Sequence, residues 1–118
     1  MRNMIKSEEE VRAFLNRFFP KFDVWGILYI NREKNLEALK MLGITSAMRD
    51  SVIRSLDTKD YVETINTLML QGDNELWVFG KDYDGTELYI KIAIGAPNDK
   101  TICISFHLAE HSIDYAYK

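Results

Sequence analysis

Cysteine is almost missing from this sequence: Cys103 stands alone. A single thiol excludes an internal disulfide and a four-cysteine zinc site, and it fits a reducing compartment. Proline occurs twice, and both read as punctuation: Pro20 ends a helical pattern and Pro97 lies in a turn. No apolar run approaches membrane-spanning length, and the opening MRNMIKSEEE lacks the apolar core of a signal peptide. No membrane partner and a cytoplasmic location are therefore expected. Positive charge is not in excess either. The net charge of −3 argues against a surface coated in cations for nucleic acid, though a local basic patch is compatible with it. Repeats, low-complexity tracts and linkers are absent as well. The 118 residues, 47% hydrophobic and 28% charged, read as one domain, 1–118, with a single core.

What is present is organised around residues 75–111. Alternation predicts three antiparallel strands, Glu75–Lys81, Glu87–Ile94 and Thr101–His107. Asp84-Gly85 predicts a two-residue turn of the mirror-image type, which needs positive φ. Gly95, Pro97 and Asn98 mark a longer second turn. Trp77 and Phe79 join a core face with Leu88, Ile90, Ile92 and Ile94, and with Ile102, Ile104 and Phe106. The opposite face carries Tyr89, Lys91, Cys103, Ser105 and His107. The turn places Gly80 opposite Tyr89 and Val78 opposite Lys91. If Ile94 pairs with Ile102, Tyr89 faces His107 and Lys91 faces Ser105. A phenol, an amine, a hydroxyl and an imidazole then share one sheet face, and Gly80 leaves room there for a substrate.

Upstream, Met1–Lys6 reads as a frayed start. Ser7 to Glu10 is a capping box, and Val11, Phe14, Leu15 and Phe18 form one helical stripe that stops at Pro20. Ile27–Ile30 reads as a short edge strand. Leu36, Leu39 and Met41 or Leu42 predict a second helix closed by Gly43. Thr45 or Ser46 starts a third, with Met48, Val52, Ile53 and Leu56 inward. Tyr61–Leu70 is compatible with helix or strand, Gln71–Asn74 is a loop, and the tail Ser112–Lys118 has no period. Helices segregated from an antiparallel meander give an α+β fold, with N-terminal helices packed on one face of a C-terminal antiparallel sheet.

A resemblance rests on several of these short strings taken in order: Leu42-Gly43-Ile44, Val52-Ile53 with Leu56, Asp60-Tyr61, Leu76-Trp77, Leu88 to Ile92, and Ile104-Ser105-Phe106. Over roughly residues 8–107 the chain resembles the MqsR family of bacterial toxins, whose fold is similar to that of RelE-type toxins. The resemblance implies a two-layer domain of that kind. It also implies a toxin of a type II toxin–antitoxin pair, acting as a metal-independent, cofactor-free endoribonuclease (mRNA interferase). A cognate antitoxin encoded by a neighbouring gene would neutralise it, and in the family that partner carries a zinc-binding N-terminal module. Tyr89 and Lys91 stand where the family strand has its tyrosine and lysine. His107 stands in place of a lysine. Two positions depart from the pattern: Glu63 replaces a lysine, and Val78 replaces a glutamine.

Metal-free RNA cleavage needs a base for the 2′-hydroxyl, an acid for the leaving 5′-oxygen, and cations for the phosphorane. Tyr89, Lys91 and His107 are the catalytic candidates. Lys81, Ser105, Tyr61 and His111 are candidates for contacts to RNA, and Arg54 or Lys59 for its backbone. Other chemistries are weaker. His107 and His111 have metal-ligand spacing only on a helix, and a third ligand is missing from the pattern. Glu110 is placed to orient either histidine. Cys103 sits mid-strand, where a packing role outweighs a nucleophilic one. The alternative function is a non-catalytic binding module that keeps the same fold, or a domain whose ligand is unrelated to RNA.

Overall fold

The computed structural model describes residues 2–67 and 75–118. In order they form β1 (Arg2–Met4), α1 (Glu8–Trp25), β2 (Ile27–Tyr29), α2 (Glu33–Leu42), α3 (Ser46–Arg54), a 3₁₀ turn (Thr58–Asp60), β3 (Tyr61–Asn66), β4 (Glu75–Tyr83), β5 (Thr86–Ala93) and β6 (Thr101–Leu108). The strands make one sheet in the order β1-β3-β4-β5-β6-β2. Every pairing is antiparallel except β2–β6, which is parallel. Helices α1 and α3 bury their stripes against one sheet face, so the α+β arrangement expected from the sequence holds. No helix among the described residues is long and apolar enough to cross a membrane.

The start of α1 is fixed by its capping box: the Glu10 N–H donates to Ser7 Oγ at 3.1 Å, and the Ser7 N–H donates to Glu10 Oε1 at 3.0 Å. Pro20 does not end this helix, contrary to expectation; α1 runs through it to Trp25. Pro20 and Asn16, whose carbonyl loses its helical donor, both lie on the exposed side. The apolar stripe meanwhile continues to Phe22, which is buried. Burial of that ring outweighs one missing bond at the surface.

Residues 2–4 are not frayed: as β1 they pair with β3 and form one sheet edge. Residues 61–66, ambiguous in sequence, are strand β3, because β4 offers them a partner. The expected loop Gln71–Asn74 and residues 68–70 lie outside the described residues. Gly43 closes α2 at φ 64°, and Thr45 caps α3 by accepting from the Met48 N–H at 3.2 Å. In α2, Leu39 and Leu42 are half-buried against the main core as expected, but Leu36 and Met41 are exposed, and Asn35 and Ala38 are buried. In α3, Met48 is exposed and Arg49 is buried, its guanidinium 3.4 Å from the Tyr29 ring centroid.

The β4–β5 hairpin has the expected turn, with φ 52° at Asp84 and 86° at Gly85. Its register places Gly80 opposite Tyr89 and Val78 opposite Lys91. In β6 the simple alternation fails. Tyr89 pairs with His107 and Lys91 with Ser105, but Ile92 then pairs with Cys103 and Ala93 with Ile102. This one-residue bulge moves Cys103 into the main core. Ile102 and Ile104, expected beneath the helices, instead pack on the other face with Ile65, Leu76, Val78 and Ala93.

Candidate active site

The side of the sheet away from α1 and α3 is built from cross-strand rows. One row is Gly80, Tyr89 and His107; the next is Glu63, Val78, Lys91 and Ser105. The Tyr89 and His107 rings stack with centroids 5.3 Å apart and planes 18° from parallel. His107 Nδ1 lies 2.9 Å from the Leu108 carbonyl oxygen. A carbonyl only accepts, so Nδ1 is the donor here, and in the neutral tautomer that fits this contact the lone pair falls on Nε2. The Lys91 amine sits 5.7 Å from the Tyr89 ring centroid. Among the described residues its amine joins no ion pair.

Arg32, the residue before α2, donates from its guanidinium to Ser105 Oγ at 3.1 Å. It brings a second cation beside Lys91. Burial first, and then Arg32, pull the Lys91 ammonium below its ordinary range, while Glu63 pulls the other way. Burial and Glu63 push the Tyr89 phenol up, so it stays a neutral donor. A cleft of about 560 Å³ opens beside this group, with Val62, Glu63, Tyr89, His107, His111 and Ile113 among its walls.

The bulge that sets this geometry is held from outside the strand. Past the end of β2, the backbone of β6 turns two groups outward. The Ile104 carbonyl accepts from Asn35 Nδ2 at 3.0 Å, and the Phe106 N–H donates to Asn35 Oδ1 at 3.0 Å. The same Nδ2 also reaches the Ile30 carbonyl at 3.0 Å. One buried amide therefore continues the pairing where the neighbouring strand stops.

Of the residues singled out from sequence, Tyr89, Lys91, Ser105 and His107 come together, and exposed His111 lies on the cleft wall. Ser105 is buried and reaches Arg32. Lys81 and Tyr61 do not join them. The Lys81 amine binds Asp60 Oδ2 at 3.1 Å and the Ser55 carbonyl at 3.2 Å on the helix side. Tyr61 is fully buried, its ring 5.8 Å from Phe79. Arg54 pairs with Asp23. Glu110 pairs with Lys34 rather than orienting a histidine. His107 ends a strand and His111 lies beyond it, so the helical metal-ligand spacing does not arise. Cys103 is wholly buried, which pushes its thiol up to about 12 and makes it unreactive. The space over Gly80 is not empty: Tyr115 and Ile113 of the tail fill it. Arg32, Asn35 and this tail were missed. Their positions depend on the parallel β2–β6 pairing and on tertiary contacts, neither of which leaves a periodic signal.

These features define a small α+β protein with an aromatic and cationic cluster on the sheet face away from α1 and α3, bordered by α2. A model of the family described as motility quorum-sensing regulator, toxin of MqsA, matches residues 24–108. The chain belongs to this MqsR toxin family, and with it to the toxins of toxin–antitoxin systems. Neither the curated proteins nor the solved structures gave a match to the chain.

Proposed function

We propose that this toxin is a metal-independent endoribonuclease of the cytoplasm, cutting RNA by attack of a 2′-hydroxyl on the adjacent phosphate. The observation that carries the reading is the stacked Tyr89–His107 pair. Both residues line a cleft of about 560 Å³, and the Lys91 amine lies 5.7 Å from the Tyr89 ring centroid. His107 Nε2 takes the 2′-hydroxyl proton as the O2′–P bond forms. The bond from phosphorus to the 5′-oxygen breaks, and the ammonium of Lys91 gives that oxygen a proton. A lysine whose charged form is disfavoured by burial is a better acid than an exposed one. Tyr89 donates a hydrogen bond to a non-bridging oxygen, and Arg32 offsets its charge. The products are a 2′,3′-cyclic phosphate and a 5′-hydroxyl.

The reading tolerates the two departures from the family pattern. Glu63 shares its row with Lys91, accepts from Asn3 Nδ2 at 2.9 Å, and favours the charged form of the Lys91 amine. Val78 is fully buried and serves the apolar patch.

The antitoxin-type partner is proposed to add a strand at the β2 edge. There Leu28 of β2 and Val24 and Trp25 at the end of α1 are exposed. Induced expression in a bacterium tests the whole reading. Growth arrest together with transcript fragmentation, both relieved by Lys91→Ala and by co-expression of the neighbouring gene, is expected. Arrest with intact transcripts would favour the binding module instead.

A further inference from the structure

Glu110 stands between two cavities. It and His107 are walls of both the 560 Å³ cleft and a smaller one of about 210 Å³ that also touches Lys34 and Glu37. Both Glu110 carboxylate oxygens accept from the Lys34 amine, at 2.9 and 3.0 Å. Lys34 and the histidines His107 and His111 together hold the Glu110 carboxyl below its usual range. The Glu110 carboxylate is thus gripped by one amine, with two imidazoles nearby.

From this we infer that the Glu110 carboxylate is a built-in stand-in for a substrate phosphate, and that Lys34 is the phosphate-binding cation it covers. The inference rests on the RNA-cleaving reading for the identity of the phosphate, a phosphodiester of single-stranded RNA. A phosphodiester presents two anionic oxygens, as the carboxylate does, and Lys34 can receive either pair. The exchange is easy because both side chains are about half exposed, 53% for Lys34 and 58% for Glu110. An ion pair in that setting is weakly held. A strand passing from the larger cavity to the smaller would cross His107 at the point where Glu110 now lies. With Glu110 in place, Glu63 and Asp114 on one side and Glu37 on the other leave the path acidic. Displacing Glu110 removes the one carboxylate common to both cavities and releases Lys34. The substrate then needs nucleotides on both sides of the cut.

The test is binding of a 2′-O-methyl oligoribonucleotide, which cannot be cleaved, followed by fluorescence anisotropy at several salt concentrations. Glu110→Gln keeps the size of the side chain and removes its charge; it is expected to tighten binding by roughly two- to fivefold. Lys34→Ala is expected to weaken binding and to lower the salt slope by about one ion. Most of the gain from Glu110→Gln should vanish in the Lys34→Ala background. Equal or weaker binding by Glu110→Gln, or a full gain without Lys34, overturns the inference. If both substitutions act as stated but cleavable RNA survives intact, the phosphate site stands and the cleavage reading falls. If RNA is cut and neither substitution moves binding, the reverse holds. No binding by any variant at low salt removes both.

Discussion

Gly80 lies directly under Tyr115: a Cβ at position 80 would stand 2.5 Å from the Tyr115 hydroxyl and 2.9 Å from its Cε1. The tail is held there by the Tyr115 hydroxyl donating to Glu87 Oε2 at 2.9 Å and by the Ala116 N–H donating to the Tyr61 carbonyl at 3.0 Å. Gly80→Ala should therefore displace the tail, at a cost of about 1–3 kcal/mol typical of overpacking. Tyr115→Ala in the same chain should recover part of that loss. Denaturant melts of the two single variants and the double variant measure the coupling; strictly additive losses would show that the two residues do not meet.

Asn35 supplies both partners that β6 lacks beyond the end of β2. Asn35→Leu fills similar space but leaves the Ile104 carbonyl and the Phe106 N–H without it. Each buried orphan costs about 1–3 kcal/mol, so a loss at the upper end of single-substitution effects is expected in thermal unfolding. The bulge also aims Ser105 and His107, so activity per folded molecule should fall as well. A variant that melts like the parent would show that the bulge is held by other contacts.

Lys91 sets the alkaline limit of the proposed reaction. Burial and Arg32 disfavour its ammonium form, so it loses its proton below the ordinary lysine value of 10.5. The proposed role requires the charged form. Activity should therefore fall as pH rises through that lowered value, earlier than an exposed lysine would allow. In Lys91→Arg the guanidinium keeps its charge, and the alkaline limb should move to higher pH even where the maximal rate drops. An alkaline limb unmoved in Lys91→Arg would assign it to another group.

The β4–β5 hairpin was legible because two local signals agreed: period-two alternation and the Asp84-Gly85 turn fix the same register. The placement of Tyr89 and Lys91 on one face follows from it. That of Ser105 and His107 rests on pairing Ile94 with Ile102, where the structure pairs Ala93. The Tyr89–His107 and Lys91–Ser105 pairs occur because the bulge absorbs the one-residue difference. The same reasoning misassigned Cys103, Ile102 and Ile104, because a one-residue bulge swaps faces and depends on Asn35, distant in sequence. Pro20 reads as a helix stop in sequence because nothing local shows that Phe22 has a core to enter. Lys81 reads as a free strand-end cation because only the fold brings Asp60 near it. Arg32 reached the site through a parallel edge strand of three residues, too short to announce its partner. His107 is buried, so Gln is a better replacement than Ala for testing its role.

The most direct measurement uses purified protein and single-stranded RNA in the presence of EDTA, with the chemistry of the new ends determined. The account predicts fragments ending in 2′,3′-cyclic phosphate and beginning with a 5′-hydroxyl. It predicts that His107→Gln lowers the rate by about 10²–10⁴-fold with the fold retained, as loss of a positioned proton acceptor does. Cleavage undiminished in a Lys91→Ala, His107→Gln double variant would contradict it, and so would wild-type protein that leaves every RNA intact.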